Sequence, residues 1–339
     1  MSAPEPIVVQ QSFPDPRPTT NPYIVMLRDA LAETPGVEVR TFSWRRALLG
    51  RYDVFHAHWP EILVSGQSPV KALVRQALTV LLILKLQLTR TPIVRTAHNL
   101  HLPDGISRRE RALLRWFDHR TALRIRLNPT TPFPAGTAYE TILHGDYREW
   151  FGRYPEPPRE HGRLGYFGLI RRYKGVEQLL EVFARVPGDE LSLTVAGKPS
   201  SDELAATVRG IAGHDPRVRV HLAFLPDAEL ADLVGRSELV VLPYRDMHNS
   251  GGVLTALSLD RPVLVPDNEA TASLADEVGQ QWVLRYAELT PEVLLDAAAR
   301  AREVDGRPDL SARSWADAGR QHEAAYRRAV ELVARRRRS

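Results

Sequence analysis

The sequence predicts an α/β protein of two doubly wound domains, and three observations lead to this fold class. The chain has 339 residues, more than one hydrophobic core usually holds. From Arg163 onward, apolar runs of strand length alternate with runs of helical period, which is typical of a parallel sheet covered by helices on both faces. Residues 154–163 hold a cluster of prolines that disfavours both helix and central strand, so this segment is predicted to link two halves.

The second half shows the clearer pattern, because each strand-like run is followed by a helical run. The strand-like runs are LGYFG, LSLTVAG, VRVHLAF, ELVVLPY and PVLVP. The helical runs are VEQLLEVFARV, DELAATVRGIAG, DAELADLVGRS, GGVLTALSL and ASLADEVG. Parallel strands need such crossover helices, since each helix returns the chain to the edge of the sheet where the next strand starts.

The first half repeats this scheme less regularly. Its predicted strands are EPIVVQQ, VEVRTFSW, YDVFHAHW, TPIVRTAHN and ALRIRLNP, and its predicted helices cover residues 23–33, 70–88 and 108–119. A closing helix is predicted from Ser314. The predicted organisation is a first domain over 1–153, the linker over 154–163, a second domain over 164–312, and the closing helix with a basic tail over 313–339.

The composition excludes several classes of protein. With 43% hydrophobic and 25% charged residues, it is that of an ordinary folded protein. The lack of cysteine excludes disulfides and thiolate metal sites and fits a reducing cytoplasm. The amino-terminal sequence shows no secretion signal. The most apolar run, ALTVLLIL, is too short to span a bilayer, so we predict a buried core helix there.

Basic residues cluster at Arg45–Arg46, at Arg51 and at the terminal run Arg335–Arg338. Such a tail often only improves solubility. The alternative is that these residues attract the chain to anionic lipid, with the helix over 70–88 dipping into the membrane interface. That alternative implies a peripheral position on the inner face of the plasma membrane, and both interpretations stay open.

Several familiar chemistries lack their motifs in this chain. The first predicted strand is not followed by the glycines of a dinucleotide-binding turn, and a Walker lysine loop is missing. No two aspartates stand two positions apart, so the usual carboxylate pair that holds a metal ion on a sugar diphosphate is missing as well. We therefore expect no metal site, and we expect protein cations and helix N-termini to stabilise any diphosphate.

Two loops of the second half could supply this stabilisation. Asn249, Ser250, Gly251 and Gly252 precede a short apolar helix, whose N-terminus would direct amide groups and a positive dipole end toward an anion. The alternative is a tight turn with Ser250 as N-cap.

The second loop is GLIRRYKG, which places Arg171, Arg172 and Lys174 directly after the first strand of the second domain. A solvated basic turn is the alternative interpretation. Because both loops follow parallel strands of one sheet, we expect the cations and the helix-end amides to converge on one diphosphate.

These motifs carry a family resemblance. YFGLIRRYKGVEQLLEVF, ALSLDRPVLVP and SWADAGRQHEAAYRRAV resemble the nucleotide-sugar-dependent glycosyltransferases of the GT-B fold, in which two Rossmann-like domains face a central cleft. DVFHAHWP, TAHN and ILHGDYREWF in the first half match the same group. YKG, NSGG and ALSLDRP together are similar to the bacterial GDP-mannose:glycolipid β-mannosyltransferases of exopolysaccharide assembly.

The resemblance implies a nucleotide-sugar donor, with GDP-mannose suggested by the narrower match, and a glycolipid or oligosaccharide acceptor. It implies no further cofactor and no nucleic-acid partner. It also implies that the nucleotide base lies beside Phe224 and Leu225, at the end of the run VRVHLAF, where related enzymes hold the base by backbone contacts.

The chain departs from the large retaining group of this fold. Met247 and Thr255 stand where that group has two glutamates, and Leu169 stands where it has an arginine. These losses favour an inverting enzyme, which needs one base to take the acceptor's proton. A catalytically silent nucleotide-sugar-binding subunit and a retaining enzyme remain alternatives.

Three residues at predicted strand ends of the first half are candidates for the base: His98, Glu61 and Asp15. A histidine in such a place often serves only as a structural hydrogen-bonding group, so the choice among the three stays open. His144 and Asp146, just before the linker, could face substrate or serve between domains.

Overall fold

A computed structural model describes residues 5–99, 102, 105–245 and 247–335. The chain divides into two compact units, of which the first comprises Met1–Gly145 with Ala312–Ser339 and the second comprises Asp146–Ser311. Over the described residues, each unit contains one six-stranded sheet in which every pairing is parallel. The predicted α/β class with two doubly wound domains is confirmed.

The sheet of the first unit has the strand order β2-β1-β3-β4-β5-β6. Its strands are β1 (Ile7–Gln11), β2 (Val37–Arg40), β3 (Val54–Ala57), β4 (Ile93–Ala97), β5 (Thr121–Arg126) and β6 (Tyr139–Thr141). The helices between them are α1 (Pro22–Glu33), α2 (Trp44–Leu49), α3 (Glu61–Val64), α4 (Pro69–Leu88) and α5 (Arg108–His119). Side chains from α2 to α5 pack on one face of the sheet around Phe55, Ile93 and Phe117.

Local capping explains where these helices begin. Asn21, Ser68 and Ser107 each accept a hydrogen bond from the first turn of α1, α4 and α5, and Ser107 forms a reciprocal capping box with Glu110. Ser43 caps α2 in the same way, so the predicted strand VEVRTFSW ends at Arg40. The strand prediction for its last residues was therefore wrong, because the cap at Ser43 starts a helix there.

The sheet of the second unit has the order β12-β11-β10-β7-β8-β9. Its strands are β7 (Arg163–Phe167), β8 (Ser192–Ala196), β9 (Val218–His221), β10 (Leu239–Val241), β11 (Val263–Pro266) and β12 (Val283–Tyr286). Its helices are α6 (Arg148–Phe151), α7 (Val176–Phe183), α8 (Asp202–Ala212), α9 (Asp227–Arg236), α10 (Gly251–Ser258), α11 (Glu269–Val278) and α12 (Pro291–Arg302). The predicted strands and helices from β7 to α11 are all present, whereas β12 and α12 were not predicted.

The closing helix α13 (Trp315–Arg335) belongs to the first unit and packs along α1. The two helices approach closely at Gly319, where a Cβ atom would lie 2.2 Å from Thr34 Oγ1. The domain boundaries predicted from the sequence differ from this division. The prediction treats residues 313–339 as a separate segment and assigns residues 146–153 to the first domain. The helix returns to the first unit because its buried face, including Tyr326, fits the sheet of that unit.

The long helix α4 only partly matches its prediction as a buried core helix. Leu82, Ile83 and Leu86 are buried, but Val70 and Leu88 at its two ends are 72% and 84% exposed. Within the described residues, no helix is long and apolar enough to cross a membrane.

Candidate functional site

The second unit gathers its predicted phosphate-binding loops around Tyr244, a residue that the sequence analysis did not select. Lys174 Nζ donates a hydrogen bond to Tyr244 Oη over 3.2 Å and lies 4.5 Å from the centre of the ring. A Cβ atom on Gly252, in the first turn of α10, would lie 3.4 Å from the same oxygen. The basic loop and the start of α10 thus lie on either side of one hydroxyl group.

Lys174 is a partly desolvated cation, which an anionic ligand would stabilise. Burial, with a smaller contribution from Arg171, lowers the pKa of Lys174 from 10.5 to about 8. The ammonium group is therefore still protonated near neutral pH, but it lacks much of its hydration. An anionic ligand would restore the lost stabilisation, as expected for a site that binds phosphate.

Two glycines make the close packing of these loops feasible, and a third allows the turn. A Cβ atom on Gly175, which has a φ of +67°, would lie 2.2 Å from Pro243 O. A Cβ atom on Gly197 would lie 1.8 Å from Gly168 O. Gly168 and Gly197 both have positive φ. Any larger side chain at position 175 or 197 would push the loops apart. Gly168 and Gly197 end the runs LGYFG and LSLTVAG, so a glycine directly after a strand was the signal available in the sequence.

Ser250 is the N-cap of α10, since Val253 N–H donates to Ser250 Oγ over 3.2 Å. This capping confirms the structural interpretation of that serine, and it fixes the helix start next to Tyr244. The N–H groups of Gly251 and Gly252 belong to the first turn, which has no acceptors within the helix. Asn249 lies in the turn that precedes the cap.

The other two predicted residues of the basic loop, Arg171 and Arg172, are exposed. Arg171 is exposed beside Lys174, whereas Arg172 forms an exposed ion pair with Glu203 at the start of α8, with 3.3 Å between nitrogen and oxygen. Met247 and Thr255, at the positions of the missing glutamates, are both buried. Lys174 and the start of α10 therefore both lie beside Tyr244, whereas Arg172 pairs with Glu203.

A cavity of about 400 Å³ lies at the carboxyl end of β8 and β9, where the sequence predicts the nucleotide base. Its lining includes Leu225, Glu229 and Asp232, whereas Phe224 next to Leu225 is 63% exposed. Asp232 is held by Arg236 at 2.8 Å. Among the described residues, no ion pair engages Glu229, so this carboxylate remains available to a ligand in the cavity.

The first unit collects histidines at the carboxyl ends of its central strands. They come from β3 (His56), the turn after β3 (His58), the turn after β4 (His98), the segment after β6 (His144) and α13 (His322). Burial lowers the pKa of His58 to about 3, lowers the pKa values of His144 and His322 to about 4, and holds those of His56 and His98 well below 6.5. All five rings are therefore neutral at pH 7.

The contacts and exposure of these histidines differ. His56 is fully buried and bonds at both nitrogens, with Tyr326 Oη at 2.8 Å and Thr96 Oγ1 at 2.9 Å. His98 is only partly buried, and its Nε2 lies 3.0 Å from His58 Nδ1. His56 is thus a structural residue of the core, whereas the neutral ring of His98 is accessible to solvent.

Trp59 lies against His98 with an unusual backbone. Its φ is +46°, a left-handed conformation that costs a bulky residue about 1–3 kcal/mol. The indole stacks on the imidazole of His98, with 3.8 Å between ring centres and 16° between planes. Strain of this kind is frequent at functional sites, where neighbouring structure holds a side chain in place.

The other two candidate bases have different surroundings. Glu61 is the first residue of α3, and its Oε2 is buried without a hydrogen-bond partner among the described residues. Asp15 is exposed, accepts a hydrogen bond from Thr41 Oγ1 and pairs with Arg46 at 3.5 Å. The bond from Thr41, supported by Arg46, lowers the pKa of Asp15, which weakens this carboxylate as a base.

His144 and Asp146 each make a hydrogen bond with the backbone of a residue close to them in the sequence. His144 Nδ1 lies 2.8 Å from Gly145 O, and Asp146 Oδ1 accepts a hydrogen bond from Arg148 N–H at the start of α6. The backbone bond to Asp146 is that of a helix-start residue.

The two α/β units, each with one parallel sheet, and the loops predicted to bind phosphate fit a glycosyltransferase of the GT-B class. The family described as "Glycosyl transferases group 1" matches residues 161–302. The chain is 46% identical over 328 residues to the GDP-mannose:glycolipid 4-beta-D-mannosyltransferase of Xanthomonas campestris pv. campestris, covering 96% of this chain and 93% of that protein. The chain therefore belongs to this family of glycosyltransferases, and it is an enzyme of the hexosyltransferase class.

Solved structures share the fold at low sequence identity. Anabaena HepE in complex with UDP-glucose matches with a TM-score of 0.61 and 14% identity, over 96% of this chain and 99% of that one. Sucrose-phosphate synthase from Thermosynechococcus elongatus matches with a TM-score of 0.59 and 17% identity, over 99% and 98% of the two chains. At these identities, the likeness extends to the fold alone.

We expect the double substitution Arg171→Ala with Lys174→Ala to weaken the binding of GDP at least ~tenfold, because a hydrogen bond to a charged group contributes about 1.5–3 kcal/mol. Affinity should also fall as the pH rises above about 8, where Lys174 loses its proton. Lys174→Arg should remove that fall. Calorimetric titration from pH 7 to 9 measures both effects.

Arg172→Ala is the matched control for this experiment, because its side chain pairs with Glu203 and should change the affinity little. Melting temperatures separate lost binding from lost folding. Equal affinity of the double variant and the wild type would show that the basic loop does not bind the diphosphate.

Proposed function

We propose that the chain transfers mannose from GDP-mannose to a lipid-linked oligosaccharide during exopolysaccharide assembly, with inversion and without a divalent metal ion. The observation that carries this proposal is the 46% identity to an enzyme named for that donor and for a glycolipid acceptor, which extends over 96% of the chain. Both units are therefore included in the likeness. In this proposal the second unit binds the donor, and the first unit supplies the acceptor-binding groups and the base.

The donor's diphosphate is assigned to Lys174, Arg171 and the first turn of α10. These groups supply positive charge and amide donors at one place, beside Tyr244. As the bond between the sugar and the diphosphate breaks, negative charge develops on the leaving oxygen, and preformed donors of this kind stabilise it. Protein cations would thereby take the role that a metal ion has in other sugar transferases.

The guanine base is assigned to the cavity beside Leu225, because Glu229 lines that cavity. Guanine presents two neighbouring donors, the N1–H and the exocyclic amino group, and a carboxylate with two acceptor oxygens matches both. Uracil presents one N–H between two carbonyl oxygens and cannot form the same pair. Glu229 thus favours GDP over UDP.

The proposal of inversion is supported by the residues that stand in place of the glutamate pair of retaining enzymes. Met247 and Thr255 are buried and carry no carboxylate. In the inverting reaction, the acceptor oxygen forms its bond to the anomeric carbon while the diphosphate leaves from the opposite face. The hydroxyl proton passes to a base, and we assign this role to His98 because its ring is neutral and reaches the surface.

Contact with the membrane is assigned to the outer face of α4. Eight of the exposed large apolar side chains that the structure describes lie between Leu49 and Leu88. On α4 they form an apolar stripe, consisting of Val70, Leu73, Val74, Leu81, Leu84 and Leu88. The buried face of the same helix includes the polar residues Gln76 and Thr79, whose side chains bond to the carbonyl groups of Val64 and Leu63. The apolar stripe thus faces solvent, where lipid could cover it.

Charge around the apolar stripe fits an anionic lipid surface. Helix α4 contains no acidic residue, and Arg45, Arg51, Lys71 and Arg90 are exposed near it in the sequence. Lys85 is different, since its Nζ donates to the carbonyl groups of Ala47 and Gly50 inside the unit. In the terminal basic run, Arg336–Arg338 lie outside the described residues. A lipid-linked acceptor would be reached most directly from this peripheral position on the inner face of the membrane.

Glu229→Gln should weaken GDP binding about tenfold and leave UDP binding unchanged, because the amide can offer one acceptor where guanine needs two. Asp232→Asn is the control from the same cavity, since Asp232 is already held by Arg236. Calorimetry with both nucleotides gives the ratio of affinities. If the substitution weakened the binding of GDP and UDP equally, the carboxylate of Glu229 would not discriminate between the two bases.

Incubation with GDP-mannose and a lipid-diphosphate oligosaccharide should yield a β-linked mannoside, and the product should form in excess EDTA. His98→Ala should lower kcat ~10²-fold to 10⁴-fold, the range that a general base contributes, while GDP binding persists. Glu61→Ala and Asp15→Ala should lower it far less. NMR of the purified product gives the anomeric configuration.

The other possible outcomes of this experiment would each contradict one part of the proposal. An α-linked product would contradict inversion, and an EDTA block relieved by magnesium would contradict metal independence. Full activity of His98→Ala would assign the base to another residue. Donor binding without transfer to any acceptor would favour a silent nucleotide-sugar-binding subunit.

Vesicle binding should require both the apolar stripe and charge. We expect the protein to bind vesicles containing phosphatidylglycerol more tightly than pure phosphatidylcholine vesicles, and binding to fall with salt. The triple variant Val70→Gln, Leu81→Gln, Leu88→Gln should lose most of the binding, whereas Val330→Gln, on the exposed side of α13, should retain it. Removing Arg335–Arg338 should weaken binding further. Equal binding of the protein to both vesicle types would contradict the proposal.

A further inference from the structure

A neighbouring lysine decides where the hydroxyl proton of Tyr244 can point. Lys174 Nζ lies 3.2 Å from Tyr244 Oη. Lys174 is protonated at neutral pH, since its pKa is about 8. A protonated lysine has three hydrogens and cannot accept a hydrogen bond, so in this contact Lys174 donates and the tyrosine oxygen accepts. The hydrogen of the Tyr244 hydroxyl group is therefore free to be donated elsewhere.

Within the part of the chain that the structure describes, nothing accepts this hydrogen, because Lys174 is the one hydrogen-bond partner of Tyr244 Oη there. Tyr244 is 8% exposed. Most buried donors in natural proteins have an acceptor, and a buried donor without one is unfavourable. Tyr166 of β7 shows the usual arrangement, since its buried hydroxyl donates to Leu169 O over 3.4 Å. Tyr244 thus offers a donor to an acceptor that a ligand would bring.

Two glycines keep side chains away from this hydroxyl group. A Cβ atom on Gly252, in the first turn of α10, would lie 3.4 Å from Tyr244 Oη. A Cβ atom on Gly168, directly after β7, would lie 3.6 Å from Lys174 Nζ and 3.9 Å from the same hydroxyl oxygen. Gly168, Lys174 and Gly252 are each partly exposed, so a ligand can reach the lysine–tyrosine pair from solvent. Glycines in such positions let a phosphate group approach the backbone closely.

The groups around Tyr244 Oη favour an anion with several acceptor oxygens. Burial raises the pKa of Tyr244 well above its usual value of 10, so the hydroxyl group stays protonated and acts as a donor. Lys174 supplies positive charge, and the first turn of α10 supplies N–H groups that have no acceptor within the helix. Phosphoryl oxygens match this set, because they carry negative charge and each accepts more than one hydrogen bond.

We propose that Tyr244 is a diphosphate-binding residue, whose hydroxyl group donates a hydrogen bond to a non-bridging oxygen of the donor's diphosphate. The inference rests on the proposed assignment of the diphosphate to Lys174 and the start of α10. In the reaction, the bond between the anomeric carbon and the diphosphate oxygen breaks, its electron pair stays on that oxygen, and Tyr244 keeps its proton. The hydrogen bond strengthens as this negative charge develops, so Tyr244 stabilises the departing diphosphate.

Tyr244→Phe tests this role, because it removes the hydroxyl group alone. We expect GDP to bind ~10-fold to ~100-fold less tightly, the range for a hydrogen bond to a charged group. Inorganic pyrophosphate should lose affinity by a similar factor, because the hydroxyl group contacts the diphosphate and not the base. Calorimetry measures both affinities. The kcat/KM for GDP-mannose should fall at least as far as the affinity for GDP, and a smaller fall would contradict the role in leaving-group departure.

Tyr166→Phe is the matched control, since it removes a buried hydroxyl group of the same unit whose hydrogen already has an acceptor. It should leave the affinities for GDP and pyrophosphate unchanged. Melting temperatures of the two ligand-free variants show whether both remain folded. If Tyr166→Phe weakened pyrophosphate binding as much as Tyr244→Phe, the effect would not be specific to Tyr244 and the proposal would be overturned.

Gly252→Ala tests the same contact without removing the hydroxyl group. The added methyl group would lie at an ordinary contact distance from Tyr244 Oη, and alanine is favoured over glycine in a helix, so the melting temperature should not fall. The methyl group would nevertheless occupy the space beside the hydroxyl group that a phosphoryl oxygen needs. We expect pyrophosphate to bind at least ~tenfold less tightly, through loss of this bond. Wild-type affinity in Gly252→Ala would contradict the proposed approach of the diphosphate.

Lys174→Ala separates a failure of this inference from a failure of the proposed site. Weak pyrophosphate binding by Lys174→Ala beside wild-type binding by Tyr244→Phe would leave the site in place and reject the role of Tyr244. Wild-type binding by both variants would place the diphosphate elsewhere and overturn the proposed site together with this inference. If Tyr244→Phe lost affinity for GDP but not for pyrophosphate, the hydroxyl group would contact the nucleoside, and the inference would be wrong.

Discussion

Parallel pairing of the strands is the constraint from which both candidate sites follow. In a parallel sheet all carboxyl ends lie along one edge, so residues far apart in the sequence meet there. Lys174, Tyr244 and Gly252 follow β7 and β10 in this way, and His58 and His98 follow β3 and β4. The helices on both faces seal the sheet, and the loops at this edge are left to contact ligands.

Burial gives the two sites their different electrostatic character. Around Lys174, burial lowers the pKa of a cation and leaves a protonated group that gains from an anionic neighbour. Around His98, burial disfavours the charged form and lowers the pKa, so the ring is neutral and does not act as a cation. The same physical cost, loss of water around a charge, thus leaves a lysine that an anion would stabilise in one unit and a neutral histidine in the other.

The enclosed surroundings of the histidines depend on the closing helix. Tyr326 of α13 forms a hydrogen bond with His56, and the ring of His322 from the same helix lies tilted beside that of His56, with 5.6 Å between centres. Because α13 comes from the far end of the chain, the core of the first unit is complete only after the second unit has been traversed. The small residue Gly319 lets the helix approach α1 closely enough to seal this core.

The sequence by itself determined the alternation of strands and helices, since apolar periodicity, caps such as Ser250 and glycines after strands act locally. It also carried the family resemblance and the positions of Lys174 and His98. It could not determine the short strands β6 and β12 or the exact end of β2, because their apolar signals are weak and a cap at Ser43 competes. Tertiary structure alone decided that Tyr244 meets Lys174, that His58 meets His98, and that α4 turns an apolar face to solvent. These outcomes depend on contacts between residues distant in the chain, and periodicity within one segment carries no information about such contacts.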